Sequence, residues 1–226
     1  MYINGILFLT FICHKLYYST AQYVPSKKKN NYIDCMNEIF NTYQFGEFNK
    51  KSIHCNEEFK FILQDFANEN NITLLCAPSQ AHAPCAERNI RTIKERVQSL
   101  FKNLPFRGLP KIILQHLVVQ TTATLNYFPT RYGLSKYYSP RMIVQHILIN
   151  YDMRCKHFTG KYVLAHDNRQ IKNNMQLRAI ICIHLKPSST SKNVHEFCTI
   201  VTKKIYYKTI LYNDDFTRIV MNIIEK

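Results

Sequence analysis

Three shortages bound this chain before any motif is read. Acidic residues are few: 15 Asp and Glu stand against 30 Lys and Arg, a formal charge of +15 over 226 residues. That imbalance points to a polyanionic partner, most simply nucleic acid, although a generically basic globular protein has the same balance. Clustered metal-binding cysteines are also lacking. The eight cysteines, at 13, 35, 55, 76, 85, 155, 182 and 198, form no C-x-x-C pair and no Cys/His grouping at zinc-ligand spacing. A structural zinc module is therefore not expected. Several cysteines sit in apolar, strand-like context, where free thiols are commonly buried, and the expected compartment is reducing. Long apolar runs are missing as well. Ile6 to Cys13 is too short to span a bilayer, and no membrane partner is expected. A signal-peptide reading of that run, cleaved near Ser19-Thr20-Ala21, is disfavoured because no charge precedes it and Asn4-Gly5 is a strong hairpin turn. The expected location is intracellular, nuclear or cytoplasmic. No internal repeat or long low-complexity tract is present.

What is there suffices for a folded protein. Hydrophobic residues make up 46% of the chain and aromatics 13%, which is globular composition with length for one large or two small domains. Gly5 to Cys13 and Leu16 to Val24 read as adjacent antiparallel strands. Pro25-Ser26-Lys27 opens a helix over Tyr32 to Tyr43 that ends near Gly46. Lys27-Lys28-Lys29 is most simply its solvated start. Lys51 to Cys55 is a strand, and Glu57 to Glu69 a helix with Phe59, Leu63 and Phe66 on one face. Ile72 to Cys76 is a strand closed by Ala77-Pro78, and the loop Ser79 to Pro84 leads to a helix around Glu87. Leu109 to Tyr127 is helical and stops at Pro129. Beyond about residue 150 the runs are short and rich in Ile, Val and Tyr: Lys161 to His166, Leu177 to Leu185, Glu196 to Thr202, and Ile205 to Tyr212. These predict a small β-rich module. Charge follows the same division: up to Phe128 there are 14 basic and 9 acidic residues, and after it 16 and 6.

The most informative helix carries Ala86, Ile90, Ile93, Val97 and Leu100 on one face at 100° per residue. Glu87, Arg91, Lys94 and Gln98 fall within roughly 60° of one another beside it. A carboxylate at the edge of a buried face, with cations one and two turns on, suits a metal ion and a phosphate backbone. On spacing alone the plainer reading, a surface helix laced with ion pairs such as Glu87 to Arg91, is favoured.

The stretch from Pro84 to Arg96, Pro-Cys-Ala-Glu-Arg-Asn-Ile-Arg-Thr-Ile-Lys-Glu-Arg, resembles the segment carrying the last catalytic Glu in integrases of Copia-type retrotransposons. Leu104-Pro105-Phe106, Leu125-Asn126-Tyr127-Phe128-Pro129, Ser139-Pro140-Arg141, and Tyr151-Asp152 followed by Gly160-Lys161-Tyr162-Val163 are similar to later landmarks of those polyproteins. Met1 to Leu9 is similar to their first hairpin. The resemblance runs through nearly the whole chain in order. It implies an α/β fold: a ribonuclease-H-like integrase core, a mixed sheet flanked by helices with its first strand missing, over 1–128. A linker and the small β-rich C-terminal module occupy 129–226.

Such a core needs three carboxylates converging on two divalent ions, Mg²⁺ in the family, for phosphoryl transfer. The resemblance places the first Asp on a strand before the segment matching Met1 to Gly5, outside this sequence. The second Asp opens a motif that here reads Asn56-Glu57-Glu58-Phe59, so Asn56 stands in its place. The third is Glu87. Asn is neutral and its amide nitrogen does not ligate a hard cation. Glu57 is shifted by one residue, which turns a strand side chain to the other face. The expectation is an inactive site, with Glu87 a weak or vestigial metal ligand and no ion held tightly.

Arg88, Arg91 and Lys94 are the candidate nucleic-acid contacts, since related integrases place basic side chains there against DNA. Phosphate contacts of this kind give salt-sensitive, sequence-tolerant binding. Tyr206, Tyr207, Tyr212 and Phe216 of the basic C-terminal part are read first as core and second as base-stacking rings. The leading function is an integrase relic with non-specific DNA binding, and oligomer formation follows by family analogy. The alternatives are an active strand transferase or nuclease, and a host-recruited interaction scaffold without a nucleic-acid role.

Overall fold

The computed structural model describes residues 1–44, 46–77, 84–104, 108–131, 133–155, 157–166, 179–188, 194–199 and 205–212, with backbone alone at Met153, His166 and 206–212. The chain forms two compact units. One comprises 1–102 with 121–149, and the other 103–120 with 150–226.

The first unit begins with β1 (Tyr2–Ile3) and β2 (Ile6–Ile12), joined at Asn4 and Gly5 with φ of 46° and 75°. Two consecutive positive φ values define the tight turn whose twist matches a hairpin, and Asn-Gly tolerates both. β3 (Ser19–Tyr23) pairs antiparallel with β2, from Phe8↔Tyr23 to Ile12↔Ser19. The helix α1 (Lys29–Gln44) buries Tyr32, Cys35, Met36, Ile39, Phe40 and Tyr43, a stripe at steps of three and four. β4 (Ser52–Asn56) then runs parallel to β5 (Thr73–Ala77), in register from Ser52↔Thr73 to Asn56↔Ala77. Between them lie a 3₁₀ turn (Glu57–Phe59) and α2 (Lys60–Glu69), the crossover that parallel strands require. The chain leaves α2 through Asn71 at φ 53°, while Asn70 Nδ2 donates to the Phe66 carbonyl at 2.8 Å. Phe40, Phe66, Ile39, Ile53, Leu63 and Met36 form the centre of this unit's largest core.

β1, β2 and β3 make one antiparallel sheet, and β4 and β5 make a separate parallel one. This corrects the expectation of a single mixed sheet. Val24 N donates to Leu7 O at 3.0 Å, which sets Leu7, Leu9 and Phe11 to bond β3 and turns the amides of Thr10 and Ile12 the other way. Among the described residues β1 pairs with that far edge at Ile6 and Leu7, with Met1 bonded to Phe8. No described strand bonds to both β2 and β4, so the two ladders do not merge.

Two long helices follow, α3 (Pro84–Lys102) and α4 (Lys111–Leu125). Residues 111–120 of α4 belong to the second unit and 121–125 to the first. α5 (Pro140–Gln145) was not read from the sequence, although its start signal is strong: Ser139 Oγ accepts from Met142 N at 3.2 Å and Pro140 sits at the first turn. A single turn, α6 (Tyr151–Arg154), was also missed.

In the second unit each of the four predicted β runs overlaps one strand: β6 (Tyr162–His166), β7 (Ala179–Pro187), β8 (Val194–Thr199) and β9 (Ile205–Tyr212). They close into an antiparallel barrel in the order β6-β7-β8-β9. Closure removes the exposed edges that a free four-stranded sheet would present. Ile113 of α4 packs with Tyr162, Ile183, Leu185 and Cys198.

Candidate functional site

α3 is fastened by an asymmetric face. Asn89, Ile93 and Val97 are buried, while Ala86, Ile90 and Leu100 are half-buried. The predicted apolar face is therefore extended by a polar member, Asn89, one turn before Ile93. Its Oδ1 accepts from Ser19 Oγ at 2.9 Å. Asn126 grips the same residue through the backbone: Ser19 N donates to Asn126 Oδ1 at 2.8 Å, and Asn126 Nδ2 donates to Ser19 O at 2.7 Å. One side-chain amide thus satisfies both main-chain groups of a buried strand residue, as a neighbouring strand would. Asn89 was absent from the sequence-derived site, and Asn126 entered only as a landmark. A polar residue on an otherwise apolar stripe was the signal available.

The opposite side of α3 is exposed, and Glu87, Arg88, Arg91 and Lys94 all lie there. Glu87 occupies the first turn, where the helix's unpaired amides favour an anion. Lys94 lies near the Met1 amino group, whose pKa is lowered by burial first and by the Lys94 charge second.

Asn56 is the last residue of β4, exposed and in extended conformation at φ −76°, ψ 157°. Its side chain makes no capping bond to the turn that follows. Glu57 and Glu58 belong to that turn and are exposed, so neither continues the strand. Among the described residues no group of three His, Cys, Asp or Glu side chains is arranged to hold a metal ion. Asn56 offers a neutral amide and Glu87 one carboxylate. That donor set does not fit a hard divalent cation, which takes several charged oxygens.

Other basic and aromatic positions sort differently. Lys29 forms an ion pair with Asp65, and Lys27 lies 5.8 Å from the Tyr2 ring centroid, so the Lys27–Lys29 run is partly engaged. The side chains of Tyr206, Tyr207 and Tyr212, and all of Phe216, lie outside the described residues. After α4, exposed Arg131 and Lys136 lie between exposed Phe128 and the exposed pair Tyr137 and Tyr138. Ser135 Oγ accepts from the amides of both tyrosines, at 3.1 and 3.0 Å, which shapes this turn. Sequence reading missed this combination of rings and cations.

In the barrel, histidines that look scattered along the chain are brought together. Phe158 O lies 3.2 Å from His184 Nδ1, so that nitrogen donates. His184 Nε2 then accepts from His195 Nδ1 at 2.9 Å. The His157 ring centroid lies 5.7 and 5.6 Å from those of His184 and His195. Burial first, and neighbouring imidazoles second, push His184 down to about 3 and His195 to about 4. Both are neutral at pH 7.

No protein-family model matches the sequence, and no curated protein matches it. Among solved structures, a chain of the cryoEM structure of the simian T-cell lymphotropic virus intasome in complex with PP2A regulatory subunit B56 gamma is similar over 93% of this chain and 78% of that one. The sequence identity is 10% and the TM-score 0.38. This is a weak, partial likeness to a retroviral intasome protein, and at that score it carries no argument about function. No described helix is long and apolar enough to cross a membrane.

Proposed function

We propose that the chain is an integrase-derived protein of Copia-type retrotransposon ancestry, with a dismantled metal site and a retained capacity to bind duplex DNA. The observation that carries this reading is the two-sided build of α3. Asn89, Ile93 and Val97 fix one side in the protein, and Arg88, Arg91 and Lys94 present three cations from the other. Cations on a rigid helix meet phosphates at little entropic cost and read no base edges. The net charge of +15 supports it, and exposed Arg131 and Lys136 add cations after α4. Asn56 in place of the second carboxylate argues against strand transfer.

Three phosphate contacts correspond to a slope of about −2.7 in log affinity against log salt. Arg91→Glu with Lys94→Glu is expected to flatten that slope by about 2 and to weaken all duplex sequences alike. Affinity that ignores both salt and the double variant would overturn the reading. Absence of binding at physiological salt would favour an interaction scaffold. Mg²⁺- or Mn²⁺-dependent strand transfer by the purified protein would overturn the dismantled site.

A further inference from the structure

Cys55 and Cys76 are direct register partners in the two-stranded parallel sheet, one residue before the strand ends at Asn56 and Ala77. Partners in neighbouring strands project to the same face. Here the two Sγ atoms meet at 3.5 Å. Adjacent strands lie about 4.8 Å apart, inside the range of roughly 4.4–6.8 Å between the Cα atoms of disulfide-bonded residues. Closing the sulfurs to about 2.0 Å therefore needs side-chain rotation and little backbone movement. Both side chains are half-buried and reachable from solvent, and Cys55 packs against the α1–α2 core. The barrel cysteines do not share this relation, because Cys182 lies opposite Thr199 and Cys198 opposite Ile183.

We propose that Cys55 and Cys76 form a reversible dithiol–disulfide couple that staples the ends of β4 and β5. The oxidant is a small-molecule disulfide. The thiolate of Cys76 attacks one of its sulfurs, forming a mixed disulfide and releasing one small thiol. The thiolate of Cys55 then attacks Cys76 Sγ, forming the intramolecular bond and releasing the second thiol. The two protein thiols are oxidised, the reagent's S–S bond is reduced, and the two protons end on the released thiols. Burial first, then the hydrogen bond to Cys76, push the Cys55 thiol up to about 12, so closure is slow at neutral pH and faster in alkali. A ladder with two strands among the described residues has little else to hold its ends, and the bond would fix the strand terminus that carries Asn56.

The test is equilibration of the full chain with excess oxidised glutathione, followed by peptide mapping and thermal unfolding. The expected product has lost two hydrogens and cross-links the Cys55 peptide to the Cys76 peptide, reversibly with dithiothreitol. Because Cys85 lies on the same tryptic peptide as Cys76, the bridge must persist in Cys85→Ser. The thermal midpoint is expected to rise by several degrees on oxidation, in wild type and in Cys155→Ser but not in Cys55→Ser or Cys76→Ser. If either last variant fails to fold, mapping of the wild type decides alone. Separate glutathione adducts on Cys55 and Cys76, or both thiols free while exposed Cys155 reacts, would overturn the proposal.

Discussion

Ser19 shows how much of this fold rests on single polar contacts. Its amide and carbonyl are both taken by the Asn126 side chain, 107 residues away, and its hydroxyl by Asn89. Asn126→Ala would leave two buried main-chain groups without partners and is expected to cost about 2–4 kcal/mol in urea unfolding. Asn89→Ala leaves a hydroxyl that can turn elsewhere and should cost about 1 kcal/mol. Equal losses from the two variants would contradict this division of roles. His184 and His195 make a second residue-scale prediction. Their folded pKa values lie below the unfolded value of about 6.5. As pH falls below about 6.5 the unfolded chain takes up protons first, so stability is whole above that pH and declines through about 4 and about 3. The thermal midpoint should therefore fall on acidification, and His184→Gln should flatten the profile while lowering stability at pH 7. An unchanged profile in that variant would count against the buried neutral pair.

At the scale of elements, the period of the sequence was a reliable guide and the face it implied was incomplete. The stripes Tyr32–Tyr43 and Ile93–Val97 are buried as apolar spacing requires, because each helix has one side against a core. Asn89 escaped notice because its burial is compensated by Ser19, a partner no local pattern reveals. Ile93 is completely buried, and Ile93→Ala is expected to cost about 2–5 kcal/mol in chemical denaturation. Ser139→Ala, which removes the cap of α5, should cost about 1 kcal/mol. Strand edges are equally testable. Leu9 and Phe11 bond β3 whereas Thr10 and Ile12 face an edge that no described strand pairs with, so hydrogen exchange should be slow at the first pair and fast at the second. Protection of Thr10 and Ile12 would mean that another strand covers β2.

For the whole molecule, charge and topology bear on different questions. The excess of 15 positive charges is a property of composition and governs association with polyanions, not the fold. The division into two units, with 103–120 and 121–149 exchanged between the halves of the chain, is a property of packing.

The sequence by itself determined the order of the longer strands and helices, the turn at Asn4-Gly5, the basic α3 and the neutral residue at position 56. Each depends on neighbours within a few residues, where periodicity and backbone preference operate. Only the tertiary structure decided that β2 and β4 remain in separate sheets, that Asn89 and Asn126 converge on Ser19, and that Cys55 meets Cys76. It also decided that His184 reaches His195. These depend on register and on contacts between distant segments, and a side chain's partner across a sheet or core is set by the packing of the whole unit.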